Sequence, residues 1–253
     1  MSEWKLKRPL LSLVSAVALI GVWKLVAALV GLEIIIPSPE RVAARFIAFL
    51  ANAAFWQALG ATLVRGLVGF GISCATGLLI GFLIGFNRTA ESLLSPVMTV
   101  IRSTPILAII LIALIWFSSD FVPIFSCFLM SFPVIASTLA EGVRQTDRRL
   151  IEMARLYRVP DGRLIRSLYL PSLFPYFTAA ASSALGLCWK VVVAAEVISQ
   201  PIHAIGTGLQ NAKIMLETAD VFAWTLAAIL LSAITDLVFG RLFKFGGVRV
   251  DQA

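Results

Sequence analysis

The chain has 253 residues, of which 59% are apolar and only 14% are charged, and its mean hydropathy is +0.94. A soluble domain carries about 25% charged residues, so this composition excludes an ordinary soluble protein and predicts an integral membrane protein in contact with lipid. The net charge of +7 comes from residues clustered at one set of predicted helix ends rather than on a soluble basic face, so no nucleic-acid partner is expected.

Six apolar stretches are long enough to cross a membrane, which takes about 20 residues in a helix. The first follows Lys5, Lys7 and Arg8 and is longer than the apolar core of a signal peptide, so we predict an uncleaved span with its N-terminus inside. The predicted spans are 10–31, 63–86, 99–118, 121–140, 173–199 and 221–240. They predict an all-α, polytopic membrane helical bundle with about six transmembrane helices.

Basic residues are distributed unevenly between the two sides of this predicted bundle. Fifteen lie in the segments on the side of the N-terminus, and three lie on the other side. Because cytoplasmic loops are enriched in Lys and Arg, both termini are predicted to be cytoplasmic, which requires an even number of spans.

Two segments are expected on the outer side. Pro37-Ser38-Pro39 interrupts the chain, and apolar residues then recur near the helical period, so segment 37–59 is predicted to form an amphipathic helix at the membrane interface. Segment 200–220 contains a short helix-like run from about Leu209 to Glu217. The lone histidine, His203, lies there with no second histidine nearby, so no metal site is predicted.

Small residues within the spans indicate packing. Gly77, Gly81 and Gly85 repeat at every fourth position of the second span, a pattern that lets another helix approach closely. The cysteines also lie in apolar runs and form no CxxC pair, so we expect three separate buried thiols and no disulfide. They are Cys74, Cys127 and Cys188.

The segment between the fourth and fifth predicted spans is basic and helical in pattern. Asp147 is suited to cap a helix that runs to about Arg158, and Val159-Pro160-Asp161-Gly162 is typical of a turn. A second short helix is predicted from about Asp161 to Tyr169, ended by Leu170-Pro171. A solvated basic loop would need no such order, so we interpret 142–171 as a docking surface for a partner.

This segment resembles the cytoplasmic EAA loop of ABC-importer permeases. In that family Glu-Ala-Ala is followed by a glycine a few residues on and by a hydrophobic-Pro pair about ten residues further; here Glu152-Met153-Ala154 and Leu170-Pro171 match the two ends. Over about residues 10–245, the chain also resembles the branch of this family that imports nitrate, aliphatic sulfonates, taurine and thiamine precursors. This wider resemblance is also carried by Pro37-Ser38-Pro39, Thr62-Leu63-Val64-Arg65, Gly69-Phe70, Arg102-Ser103-Thr104-Pro105, Leu114-Ile115-Trp116-Phe117, Phe132-Pro133, Gly186-Leu187-Cys188-Trp189 and Val193-Ala194-Ala195-Glu196.

The chain departs from the family pattern at two positions of the loop. Met153 replaces the second alanine, and Arg158 stands where the family usually has glycine. Glycine permits a left-handed turn there, which arginine adopts only at a cost. Either the turn has shifted to Pro160-Asp161-Gly162, or the angle between the two loop helices differs.

The resemblance implies a type I ABC importer permease fold, with a single permease domain over 1–253 and a core at about 60–245. It implies a multi-pass protein of the bacterial inner membrane, and as partners two ATPase subunits, an outer solute-binding protein and a second permease chain, as a homodimer or a heterodimer. In the family the loop sits in a groove of the ATPase, and ATP-driven closure rocks the helices. The matching residues here are Glu152, Met153, Ala154, Arg155, Arg158, Val159, Pro160, Asp161 and Gly162.

ATP and Mg are expected to be used by the partner and not by this chain. A phosphate-binding loop needs Gly-Lys-Ser/Thr, and no lysine follows a glycine here. Nor does the sequence contain a His/Cys cluster, paired carboxylates or a Ser-His-Asp set, so the chain is expected to be non-catalytic and to bind no cofactor.

Ionisable groups within spans are costly and are therefore candidates for lining a translocation path. A positive group at Lys190 would suit an anionic solute, whereas Lys190 and Glu196 lie about 240° apart around a helix and are not expected to pair. For each group, an ion pair or hydrogen bond between helices is an equal alternative. The path candidates are Arg65, Trp189, Lys190 and Glu196, and further charges within or near spans are Arg102 and Asp236.

Together with the positive charge at Lys190, the resemblance implies import of a small anionic solute such as a sulfonate, nitrate or taurine. A vitamin precursor such as a thiamine pyrimidine is the alternative substrate. A secondary transporter is the alternative class; such folds often show internal repeats and broken helices. No clear repeat is present here, and the two-helix loop would have no role in such a protein.

Overall fold

The computed structural model describes residues 2–246, with side chains from Val14 to Phe243 except Ala16. The side chains of the predicted basic N-terminal flank, and residues 247–253, lie outside this description. Every regular element from 2 to 246 is a helix. The helices are α1 (Ser2–Val30), α2 (Pro39–Leu50), α3 (Ala53–Phe86), α4 (Arg88–Ser103), α5 (Ile106–Trp116), α6 (Phe121–Arg144), α7 (Arg148–Leu156), α8 (Asp161–Leu164), a π turn (Ile165–Tyr169), α9 (Leu170–Ser199), α10 (Ile205–Ile214) and α11 (Thr218–Gly246).

Four helices, α3, α6, α9 and α11, are long and apolar enough to cross a membrane. They contain the predicted spans 63–86, 121–140, 173–199 and 221–240, so these four predictions are confirmed. The described apolar part of α1 is Val17–Val30. We call the end of the bundle that carries Arg88, Arg144 and the loop at 145–160 the basic end, and the other end the opposite end.

The prediction of one unbroken helix over 99–118 is wrong. The chain breaks between α4 and α5, which are bent by 100° relative to each other and could together form a fifth span. Pro105 has no N–H and disfavours helical backbone in the residue before it. Thr104 accordingly adopts an extended conformation, with φ −72° and ψ 127°.

The core lies where α3 and α9 pack against α6, and the α3 contact with α6 runs over small residues. A Cβ atom added to Gly77 would lie 2.7 Å from Ile135 Cβ, and one added to Gly85 would lie 2.8 Å from Val143 Cβ. A Cβ on Gly81 would lie 2.8 Å from the carbonyl oxygen of Ala136. The predicted role of these glycines in close helix packing is confirmed.

The structure divides the predicted amphipathic segment 37–59 between two helices. Ser38 caps α2, which ends at Leu50, and Asn52 then caps α3, so residues 53–59 form the first turns of a membrane-crossing helix. Arg45 of α2 forms an ion pair with Asp220 of α11, and this hydrogen-bonded contact raises the pKa of Arg45 above its usual value. The short helix expected at about 209–217 is α10, which begins and ends earlier.

A disulfide joins two of the three cysteines, contrary to the expectation of separate thiols. Cys127 of α6 and Cys188 of α9 are both fully buried and are bonded to each other across the core, whereas Cys74 is free. They are 61 residues apart in the chain, so only the packing of α6 on α9 brings them together.

This disulfide predicts the pattern of thiol labelling. When the chain is denatured in the presence of a maleimide and without reductant, we expect it to take up one label, at Cys74. After reduction we expect three labels. The number of labels is measured by intact mass spectrometry. A Cys74→Ser variant should take up none before reduction and two after it. Three labels on the unreduced wild-type chain would contradict the bond.

Candidate functional site

A buried polar cluster joins α3 to the last turn of α9 at the opposite end of the bundle. Glu196 is fully buried, and its carboxylate accepts hydrogen bonds from Thr62 Oγ1 at 2.9 Å and from Arg65 Nη1 at 3.0 Å. The backbone N–H of Gly206 donates a further bond at 3.2 Å. A buried carboxylate is stable only when it is paired and hydrogen-bonded, and here these contacts come from two segments of the chain, α3 and the start of α10.

Arg65 extends this cluster to two connecting segments. Its Nη1 also donates to the carbonyl oxygen of His203 at 2.9 Å, and its Nη2 forms an ion pair with Asp120. The Asp120 side chain is 69% exposed, whereas that of Arg65 is 9% exposed. Arg65 is thus held by a buried carboxylate on one side and by an exposed carboxylate of the α5–α6 hairpin on the other.

Asp120 was not among the residues predicted from the sequence. In the sequence it lies in the very short connection between the apolar stretches 99–118 and 121–140. The signal that could have identified it is a single carboxylate in a short connection between two spans. An arginine within another span, such as Arg65, needs a partner of opposite charge, and this carboxylate could be that partner. The contributions of Gly206 and His203 are made by backbone atoms and leave no signal in the side-chain pattern.

Trp189 is packed between helices. It is 3% exposed, and a Cβ atom on Gly66 would lie 2.5 Å from its ring. The structure therefore brings three of the four path candidates, Arg65, Trp189 and Glu196, into the interface between α3 and α9. Trp189 also lines the groove between α9 and α11 described next.

Lys190 lies on the other face of α9, in a groove between α9 and α11. The groove encloses about 670 Å³, and Asp236 also lines it. Within the described residues no carboxylate oxygen lies within 4 Å of the Lys190 ammonium. The other groove residues that carry hydroxyl groups or lack side chains are Ser182, Gly186, Thr225 and Ser232.

The loop at the basic end is built as a capped helix followed by a sharp turn. The Asp147 side chain accepts a hydrogen bond from the N–H of Arg149 at 2.8 Å and so caps α7. Beyond α7, the N–H of Val159 donates to the Ala154 carbonyl and that of Arg158 to the Arg155 carbonyl, both at 2.9 Å. This pair of bonds is the Schellman motif, whose turning residue is usually glycine.

Arg158 is that turning residue, with φ 53°. The turn has therefore not shifted to Pro160-Asp161-Gly162: the arginine adopts the left-handed conformation that the glycine of the family pattern would adopt. Gly162 lies instead inside α8. The cost of a non-glycine residue in this conformation is about 1 kcal/mol.

The α7 helix buries one side against the bundle and exposes the other. Ile151 and Ala154 pack against the core, whereas Leu156 is 81% exposed and Tyr157 is 76% exposed. Glu152 is exposed, and no cation within the described residues lies within 4 Å of its carboxylate. The neighbouring predicted residues Met153, Arg155, Arg158, Pro160, Asp161 and Gly162 are also exposed, and Val159 is half-buried.

The second loop helix does not end at Leu170-Pro171, as the sequence had predicted. Helix α8 continues through the π turn into α9, giving one helix from Asp161 to Ser199. The wider turn bonds the N–H of Leu170 to the carbonyl of Ile165, and this change of register accommodates Pro171, which has no N–H to donate.

Within the part of the chain that the structure describes, no three His, Cys, Asp or Glu side chains converge as a metal site would require. The buried cluster is an ion pair with hydrogen bonds. Its contacts join α3, α9 and the start of α10.

Comparison with known proteins assigns this architecture. Residues 77–245 match the family described as "Binding-protein-dependent transport system inner membrane component". The chain belongs to this family. The match begins within α3 and includes the loop, Lys190 and Glu196, but it does not include Arg65.

Two curated relatives and one solved structure place this permease among ABC importers. It is 34% identical to the putative aliphatic sulfonates transport permease SsuC of Escherichia coli K12, over 87% of this chain and 84% of the relative. It is 32% identical to the bicarbonate transport system permease CmpB of Synechococcus elongatus, over 71% of this chain and 64% of the relative. The fold matches a chain of the MetNI methionine ABC transporter in an inward-facing conformation, with TM-score 0.60 and 19% identity, over 77% of this chain and 94% of that one.

Proposed function

We propose that the permease forms the solute path of an ABC importer and is coupled to a separate ATPase through segment 142–171. The observation that carries the proposal is the exposed face of α7. Leu156, Tyr157 and Met153 present apolar surface to solvent at the end of a membrane protein. Exposed apolar residues beside charged ones mark a contact surface for another protein.

The orientation follows from the charge distribution. In the predicted topology, fifteen basic residues fall in the segments on the side of this loop and three on the other side. This supports a cytoplasmic position for the loop and for both termini, where an ATPase would be. Two ATPase subunits, a second permease chain and an outer solute-binding protein complete the importer. The permease itself contributes helices and no nucleotide chemistry.

The proposed solute is a small anion such as a sulfonate, nitrate or taurine. Lys190 lies in a groove of about 670 Å³ that Asp236 also lines, and within the described residues its ammonium forms no ion pair. An ammonium group that is not ion-paired attracts anions in a medium of low dielectric constant. Two relatives are named for the transport of anions, aliphatic sulfonates and bicarbonate, which supports this choice.

Coupling is tested by substituting the exposed apolar residues of α7. We expect the double variant Leu156→Asp/Tyr157→Asp to lower the amount of cognate ATPase that co-purifies with tagged permease at least tenfold, because two charges replace its contact surface. Glu152→Lys is expected to lower the amount several-fold. The measurement is quantitative gel densitometry of detergent-extracted complexes.

The matched control is Ile202→Asp, which places the same charge on a residue that is 86% exposed at the opposite end. It should leave ATPase recovery unchanged, and equal membrane levels of all variants would show that insertion is intact. Full recovery of the ATPase with the double variant would contradict coupling through α7.

A further inference from the structure

A polar groove runs between α4 and α6 near the basic end. On α4, Glu91, Ser95, Thr99 and Arg102 are spaced four, four and three residues apart and so lie on one face of the helix. They face a similar row on α6. That row comprises Ser137, Glu141 and Arg144.

A cavity of about 120 Å³ lies in this groove. Its apolar floor is Ile84 and Met98, which are 6% and 7% exposed. Its polar walls are Glu91, Ser95, Thr99, Arg102, Ser137 and Arg144. Because a water molecule occupies about 30 Å³ in the liquid, the cavity, which is open to the groove, has room for an ion of four or five heavy atoms.

The two arginines of the cavity differ in their partners. Arg144 forms ion pairs with both Glu91 and Glu141, so its charge is neutralised. Arg102 donates to the carbonyl oxygen of Pro133 and to Ser137 Oγ, which are neutral acceptors. No carboxylate of residues 14–243 lies within 4 Å of the Arg102 guanidinium, so Arg102 has no ion-pair partner there. The two arginines and two glutamates of the facing rows sum to zero charge, and the excess negative charge lies beside Arg144.

The contacts of Arg102 also fix how it is presented. Both neutral acceptors are bound by Nη2, so Nη1 and Nε form no other hydrogen bond within the described residues. A guanidinium offers its N–H groups in a rigid planar fork that matches two oxygens of an oxyanion. The hydroxyl of Ser95 lies on the same wall as a further donor.

We propose that Arg102 and Ser95 form a binding site for a small oxyanion, of the size of a sulfonate head group, nitrate or bicarbonate. Its role, as a site that the solute occupies between Lys190 and the basic end during transport, rests on the proposed function. Binding itself requires only this chain. The site would select for charge and size, because the cavity admits the oxyanion head and leaves a larger substituent in the open groove.

The test is anion binding by the full-length chain in a neutral detergent without phospholipid. Thermal unfolding, followed by tryptophan fluorescence, is measured against sodium ethanesulfonate, with sodium chloride at equal ionic strength as reference. We expect a saturable rise in Tm for the wild type and an apparent Kd at least tenfold weaker for Arg102→Gln. Arg102→Lys should lie between them, because it keeps the charge and loses the fork, and Ser95→Ala should weaken binding several-fold.

Arg88→Gln is the matched control, since it removes one positive charge from the same helix outside the cavity, and its Kd should equal that of the wild type. The proposed site would be contradicted if the Tm of the wild type showed no saturable rise with ethanesulfonate. It would also be contradicted if Arg102→Gln showed the same rise as the wild type. A third contradicting result would be a rise in Tm with added phosphatidylglycerol that depends on Arg102, together with no rise with ethanesulfonate. The ligand of Arg102 would then be a lipid head group. None of these outcomes changes ATPase co-purification, so failure of this site is distinguishable from failure of the proposed coupling.

Discussion

Replacing Glu196 with alanine is expected to destabilise the permease by about 3–5 kcal/mol, because it leaves the Arg65 guanidinium in the protein interior without its buried partner. The same change removes the acceptor of the Thr62 hydroxyl and of the Gly206 N–H. Three segments of the chain, α3, α9 and the start of α10, would lose their common contact. The measurement is equilibrium unfolding in mixed detergent micelles, followed by tryptophan fluorescence.

The exposed arm of the same cluster provides the comparison. Asp120→Asn removes an ion pair whose carboxylate is 69% exposed, and such pairs contribute about 0–1 kcal/mol. The double variant Arg65→Leu/Glu196→Leu should regain part of the stability lost in Glu196→Ala, because no buried charge is then left alone. An effect of Glu196→Ala no larger than that of Asp120→Asn would show that the cluster does not hold these segments together.

Adding one methyl group to Gly81 is expected to destabilise the permease by about 1–3 kcal/mol. Its Cβ would lie 2.8 Å from both the carbonyl oxygen of Ala136 and the Cβ of Leu139. Backbone and Cβ atoms cannot move aside as the end of a flexible side chain can. Helices α3 and α6 must therefore separate if Gly81→Ala is to be accommodated, and unfolding in mixed micelles again measures the cost.

The control is Gly71→Ala in the same helix, where an added Cβ meets nothing within 4 Å. Alanine favours helix over glycine by up to about 1 kcal/mol, so this variant should be neutral or more stable than the wild type. The two substitutions are chemically identical, so opposite signs would isolate the helix contact. Equal effects at both positions would argue against close packing of α3 on α6.

Hydropathy predicted α3, α6, α9 and α11 because the stability of a helix in lipid depends mainly on how many of its residues are apolar. That number can be read directly from the sequence. It did not predict the 100° bend between α4 and α5, since the apolar residues continue on both sides of Pro105. The proline was the available signal, and its effect on Thr104 is local and well defined. The prediction that Pro171 ends a helix was wrong. The π turn before it shifts the backbone hydrogen bonds by one residue, so the helix continues through a residue that has no N–H to donate.

The buried cluster could be predicted only in part. Arg65 and Glu196 were both recognised as costly charges within spans, but they are separated by 131 residues, and their pairing depends on how α3 packs against α9. Asp120 and the backbone donors become visible only in three dimensions. Arg158 is a different case: the resemblance identified the position, and the structure resolved two open alternatives by showing φ 53°.

The continuous helix from Asp161 to Ser199 gives the molecule a lever. At 1.5 Å per residue, Asp161 and Glu196 lie about 50 Å apart on one rod. A tilt of a few degrees applied at the α8 end would displace the Glu196 end by several ångströms, with only the π turn between them to absorb it. In the proposed coupling, a force on the exposed loop would be transmitted along this helix to the hydrogen bonds of Glu196 at the opposite end.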